Sequence, residues 1–127
     1  MIISYEQLVD WLEGYQAAWE NGDPDLAASL FTADAEYYES PFDKPFIGAN
    51  GVRDYWSEVP ESQRDIHFAY RILNIFDNHA LVHWQAEFYR VPSGSRVELD
   101  GIFFLEYAAD GRCMLLREWW HRRETTG

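Results

Sequence analysis

The chain has a single cysteine, Cys113, in 127 residues, so no intrachain disulfide can form and no cysteine-rich metal site can be built. A lone thiol of this kind reads as a small buried hydrophobe before it reads as a nucleophile. Positive charge is also scarce: 10 Lys and Arg stand against 22 Asp and Glu, a formal net charge of −12. Such a surface repels nucleic acid and anionic membranes, so neither is expected as a partner. No apolar run approaches the roughly 20 residues of a membrane span. The N-terminus carries no basic segment followed by a long apolar one, and a reducing cytoplasm is the expected location. The four histidines are His67, His79, His83 and His121, and no pair sits at a familiar metal-ligand spacing; no metal is expected. Glycines mark turns and none forms a phosphate-binding loop after a strand, so no cofactor is expected either.

Aromatic residues, in contrast, are abundant: 17 % of the chain, with six Trp. Rigid, bulky rings suit a core or an apolar ligand cavity. The length fits one domain, residues 1–127. Ser4 and Gln7 form a capping box, and Leu8, Trp11, Leu12, Tyr15 and Trp19 then recur at spacings of three and four. This predicts an amphipathic helix ending near Asn21-Gly22. Asp23-Pro24 starts a second, short helix carrying Leu26, Ala27, Leu30 and Phe31. A strand is expected over Glu36 to Ser40, then an extended loop from Pro41 to Gly48. A third helix, capped by Asn50, carries Val52, Tyr55 and Trp56 and ends at Pro60.

The remainder alternates apolar and polar residues with turns between. Strands are predicted over Ile66 to Phe76, Ala80 to Arg90 and Val97 to Tyr107, followed by a last strand containing Leu115 to His121. Helices first and a long meander afterwards make an α+β domain, with helices covering one face of a twisted, curved sheet. A three-residue turn at Asp77-His79 would set Ile72 across from Trp84 and Phe68 across from Phe88. A two-residue turn at Asp110-Gly111 would set Phe103 across from Glu118 and Gly101 across from Trp120. A bulge at Gly94 or Gly101 would flip the phase of the middle hairpin.

Glu118 is the exception in this pattern. Strand alternation puts it on one face with Leu116 and Trp120, while Leu115, Arg117, Trp119 and His121 take the other. A carboxyl between two large apolar neighbours is exposed on a rim, paired with a cation, or held in a dry pocket with a raised pKa. The last of these makes a general acid or base.

Several short stretches in this order resemble the nuclear transport factor two-like superfamily, which includes the SnoaL-like polyketide cyclases and the ketosteroid isomerases. They are Tyr15-Gln16-Ala17-Ala18-Trp19, Asn21-Gly22-Asp23 and Leu30-Phe31-Thr32-Ala33-Asp34-Ala35, with Gly48, Tyr55-Trp56 and Asp110-Gly111 completing the pattern. The resemblance covers nearly the whole chain. It implies a cone-shaped roll of three N-terminal helices on a strongly curved, mostly antiparallel sheet. It is a poor guide to reaction, since one such fold hosts isomerases, cyclases, hydrolases, dehydratases and inert binding modules. The isomerase pattern places an oxyanion-stabilising tyrosine at Tyr15 and a general base at Glu39, or at Ser40 if counted from the proline. The position of its protonated aspartate is taken by Phe103, which argues against a true ketosteroid isomerase. The pocket tryptophan matches Trp120. In cyclase-like members the last strand often reads Glu-x-Trp-Asp-x-x-Asp; Glu118 and Trp120 match, while His121 and Glu124 replace the aspartates.

The resemblance and the residues together imply proton transfer next to a carbonyl in a small hydrophobic molecule. Glu118 or Glu39 would take the proton and Tyr15 would donate to the developing enolate oxygen. Trp19, Trp56, Tyr70, Trp84, Phe103 and Trp120 would wall the site, and His121 is the histidine best placed for acid–base work. The competing expectation is a binding or assembly module without turnover, with the aromatics as core and the carboxylates in water. The other sheet face carries Ile102, Phe104, Leu115 and Trp119 among charged residues. A monomer rarely leaves such a face bare, so a homodimer through the sheet is expected.

Overall fold

The structure is a computed structural model that describes residues 2–126. Ser4 begins α1 (Tyr5–Glu20) with the expected reciprocal cap: the Gln7 amide donates to Ser4 Oγ at 3.0 Å and the Ser4 amide to Gln7 Oε1 at 2.9 Å. The helix buries Leu8, Trp11, Leu12, Tyr15, Ala18 and Trp19 along one stripe. Asp23 caps α2 (Pro24–Ser29), accepting from the Leu26 amide at 3.0 Å. This helix is shorter than its apolar residues suggest. Phe31 already belongs to β1 (Phe31–Tyr38), which therefore starts five residues before the predicted Glu36. The missed start pairs in parallel with the last strand, and an irregularity between Phe31 and Glu36 breaks its alternation.

A short β2 (Phe46–Ile47) leads directly into α3 (Gly48–Trp56). Gly48 has φ +70°, and a Cβ there would collide with the Ala33 carbonyl, so the corner needs glycine. The helix begins there without a side-chain cap. Asn50, expected to be the cap, lies inside the helix and accepts from Arg53 at 2.7 Å. Pro60 does not end α3 but sits in the first turn of a further short helix, α4 (Val59–Ser62), where its missing N–H costs nothing.

Four long strands follow: β3 (Gln63–Phe76), β4 (His79–Arg90), β5 (Arg96–Tyr107) and β6 (Cys113–Thr125). With β1 and β2 they form one curved six-stranded sheet in the order β2-β1-β6-β5-β4-β3. Only β1 and β6 run parallel among the pairs. The β3–β4 register differs from the expected one. The turn is two residues, with Phe76 opposite His79, and an irregularity follows between Ile72 and Asn74, so Ile72 meets Val82 and Phe68 meets Ala86. The slip is an even number of residues, so the apolar face is preserved. The β4–β5 pairing is continuous, with no bulge at Gly101. In β5–β6, Phe103 lies across from Glu118 and Gly101 from Trp120, as expected, but not through a two-residue turn: the Ala108 amide donates to the Arg112 carbonyl at 2.8 Å, leaving Ala109-Asp110-Gly111 as the turn, and an irregularity between Glu106 and Tyr107 restores the register.

The helices cover one face of this sheet, α1 against β3 and α3 against β1. Val82, Trp84, Ala86, Phe88, Val97, Phe103, Leu105 and Leu116 are buried beneath them. Among the described residues, no helix is long and apolar enough to cross a membrane.

Candidate functional site

Between the helices and the inner sheet face lies a cavity of about 350 Å³, within the usual size range of small-molecule sites. Each element contributes a distinct kind of side chain. From α1 come Tyr15 and Trp19, from β1 Tyr37 and, just beyond its end, Glu39, and from α3 Tyr55 and Trp56. The sheet contributes Trp84, Phe88, Val97, Leu99, Glu118 and Trp120, and Arg90, Arg122, Glu58 and Gln63 also border the space.

Glu118 is 6 % exposed. Among the described residues, no hydrogen bond or ion pair reaches its carboxyl. Its carboxyl is thus neither on an exposed rim nor paired with a cation, and it borders the cavity. Burial, reinforced by the nearby charge of Glu39, pushes its pKa well above the usual carboxylate range.

Close to it, the hydroxyls of Tyr15 and Tyr37 are 3.2 Å apart in a buried hydrogen bond. Burial raises both phenols, and the charge on Glu118 raises them further, so both stay neutral donors. Tyr55 is raised for the same reasons, burial first and then Glu118 and Glu39. The polar end of the cavity is thus a carboxyl surrounded by un-ionised phenols.

The walls are held by specific contacts. Trp120 Nε1–H donates to the Glu39 backbone carbonyl at 2.9 Å, tying the end of β1 to β6. Trp19 Nε1–H donates to Gln63 Oε1 at 2.9 Å. Gly101 separates two wall indoles. A Cβ there would lie 2.8 Å from the Trp84 ring, 2.9 Å from Trp120 Cβ and 2.7 Å from the Trp119 carbonyl. The glycine is therefore needed for the close approach of side chains to its backbone, not for its φ.

Seven of the residues singled out from sequence border the cavity: Tyr15, Trp19, Glu39, Trp56, Trp84, Glu118 and Trp120. Three do not. Phe103 is wholly buried and stacks on Trp84 with centroids 5.1 Å apart, so it underlies the wall as core. Tyr70 is half-buried at the α1 edge, its hydroxyl donating to Glu13 at 3.2 Å. His121 points from the opposite sheet face into a wider depression of about 480 Å³ shared with His67, Asp100 and Arg123. The polar groups of that outer face already pair with one another: His83 lies 2.9 Å from Asp100, Gln85 donates to Asp100 at 2.8 Å, and Arg123 pairs with Glu98 at 2.7 Å. Among the described residues, no cluster of His, Cys, Asp and Glu could hold a metal ion.

Sequence reasoning missed Tyr37 and did not give Tyr55 a site role. A signal existed for Tyr37, which is two residues from Glu39 and so shares its strand face.

The SnoaL-like domain family matches residues 12–115. The chain belongs to the SnoaL-like family. No curated protein matches it. Among solved structures, this SnoaL-like domain is similar to SalBIII, described as an epoxide hydrolase/cyclase-like enzyme in pyran ring formation in the polyether salinomycin. That match has a TM-score of 0.78 and 17 % identity, covering 94 % of this chain and 95 % of the other. A type 2 hexachlorocyclohexane dehydrochlorinase, LinA, matches with TM-score 0.78 and 14 % identity over 96 % of this chain and 88 % of its own. A computationally designed 17-OHP binder matches with TM-score 0.79 and 13 % identity, over 94 % and 97 %. Identities this low establish the SnoaL-like fold shared with these proteins, and they leave the chemistry of the cavity to its own residues.

Proposed function

We propose that this SnoaL-like domain binds a small hydrophobic molecule in the aromatic cavity and that Glu118 exchanges a proton with it. The carrying observation is the Glu118 carboxyl itself, buried at 6 % exposure, bordering the cavity and without a partner among the described residues. A structural role would normally give such a group a cation or hydrogen-bond donors. The Tyr15–Tyr37 pair adds the electrophilic half. One hydroxyl donates to the other, and the remaining phenolic proton is free to meet an oxygen on which negative charge develops. Glu39, near the end of β1, is the second carboxylate of the site. Proteins of the same fold described as a cyclase-like enzyme, a dehydrochlorinase and a small-molecule binder are compatible with this reading.

The test has two stages. Tryptophan fluorescence is titrated with flat apolar carbonyl compounds, and any binder is then incubated with the protein in D2O while exchange of its α-proton is followed by NMR. Protein-dependent exchange is expected. Glu118→Gln should lower it by a factor on the order of a hundred to ten thousand, the usual contribution of a positioned acid or base. Unchanged exchange in a folded Glu118→Gln protein would remove this residue from the chemistry.

The outer sheet face supports a second proposal, a homodimer. Trp119 is 47 % exposed, Leu81 38 % and Phe76 68 %, and the half-buried Phe104 and Ile102 continue the patch. Sedimentation equilibrium should show a dimer that Trp119→Arg dissociates; a monomer at high concentration would contradict it.

A further inference from the structure

We infer that the molecule taken up by the cavity carries a positively charged nitrogen, held by the indole faces of the wall and neutralised by the Glu118 carboxylate. This rests on the cavity being a ligand site, as proposed above, and it names the class of ligand.

Three observations lead there. First, the acid is unpartnered although arginines are near. Arg90 and Arg122 border the same space, yet both turn to Glu124, Arg90 Nε at 2.9 Å and Arg122 Nε at 3.9 Å. The cavity thus holds a carboxyl that no cation of the described chain balances. Second, the walls suit a cation. Trp19, Trp56, Trp84 and Trp120 all line it, and an indole face is the strongest aromatic partner for an ammonium group, the more so out of water. Third, acid outweighs the two bordering arginines, which share Glu124. Glu39 and Glu58 border the cavity, and the chain carries −12 overall, a field that draws cations into a low-dielectric cleft.

The site would also couple binding to ionisation. Burial and the charge on Glu39 favour the protonated form of Glu118. The other groups around it do not relieve this: Tyr15, Tyr37 and Tyr55 are neutral phenols, and Arg90 and Arg122, which border the same space, turn to Glu124. A bound cation supplies the missing counter-charge, so Glu118 releases its proton to solvent and becomes a carboxylate beside the ligand. The resting acid is converted into a base by the molecule on which it would act.

The experiment compares two probes of nearly the same shape, benzyltrimethylammonium and neopentylbenzene, titrated against the whole protein by tryptophan fluorescence between pH 5 and 9. The quaternary nitrogen has no proton of its own, so any pH dependence belongs to the protein. The ammonium is expected to bind at least tenfold more tightly than the hydrocarbon at the alkaline end. Its affinity should fall about tenfold per pH unit once Glu118 is protonated in the free protein, the slope of one released proton. Calorimetry in buffers of different ionisation enthalpy should count that proton. Glu118→Gln should flatten the pH profile; should that variant not fold, the two-probe comparison and proton count on the wild type still decide.

Equal or tighter binding of the hydrocarbon would overturn this inference and leave the cavity proposal standing. Preferential ammonium binding without proton release would overturn the role given to Glu118. Binding of neither probe would overturn the inference together with the cavity reading.

Discussion

Replacing Glu118 by glutamine tests the buried acid without needing a ligand. The side chain keeps its shape and loses its ability to ionise. In the folded protein the Glu118 pKa is raised, by burial first and by Glu39 second, while in the unfolded chain it takes the ordinary value near 4.3. Between the ordinary and the raised value, the native state holds a proton that the unfolded state has released. Unfolding in that window therefore releases a proton, and wild-type stability falls as pH rises, by about 1.4 kcal/mol per pH unit for one group. Below the ordinary value both states are protonated and this slope disappears. Glutamine does not ionise and has no such pH dependence. The two proteins should have a constant stability difference below about pH 4. Above it the difference should move in favour of Glu118→Gln, until the raised pKa is passed. Urea unfolding at half-unit steps from pH 4 to 9, with the m-value checked for constancy, measures this directly. Parallel wild-type and variant profiles would refute the reasoning, because they would mean that Glu118 ionises alike in both states and is not held in a dry site.

Other consequences can be checked separately. Gly101→Ala puts a methyl 2.8 Å from the Trp84 ring and 2.7 Å from the Trp119 carbonyl. It should cost about 1–3 kcal/mol by overpacking and blue- or red-shift the tryptophan emission; an unaltered unfolding midpoint would contradict the packing described. Tyr15→Phe removes one hydroxyl of a buried pair and leaves Tyr37 unpartnered, a loss of about 1–3 kcal/mol in chemical denaturation. Cys113 is wholly buried and burial pushes its thiol up to about 12; it should resist a thiol reagent at pH 8 in the folded protein and react at once in denaturant.

Much of the architecture follows from local pattern. The Ser4–Gln7 cap, the Leu8-to-Trp19 stripe and the alternation of Val82, Trp84, Ala86 and Phe88 are short-range regularities, and each predicts an element that is present. The errors lie where non-local contacts overrule local pattern. Phe31 reads as the last apolar residue of a helix, yet it pairs with Cys113 in a parallel strand contact more than eighty positions away. Pro60 reads as a stop and instead opens α4. The turn at Asp77 is one residue shorter than expected, and the irregularity after it restores the phase. Phe103 reads as a wall residue and is instead the layer behind the wall, since burial depth, unlike facing, leaves no mark in a period of two. His121 faces away from the cavity for the same pleat that turns Glu118 and Trp120 toward it.

From its sequence alone this chain determines that Glu118 shares a face with Leu116 and Trp120 and lies across from Phe103. The pleat repeats every two residues, and matching the apolar faces of the two strands favours this register, which the structure reaches through a longer turn offset by an irregularity between Glu106 and Tyr107. Only the tertiary structure decides that this face is closed over by Tyr15 from α1 and Tyr37 from β1, that the nearby arginines turn to Glu124, and that a space is left among them. Those outcomes depend on how helices seat on a curved sheet, through contacts between residues far apart in the chain, and no local periodicity encodes them.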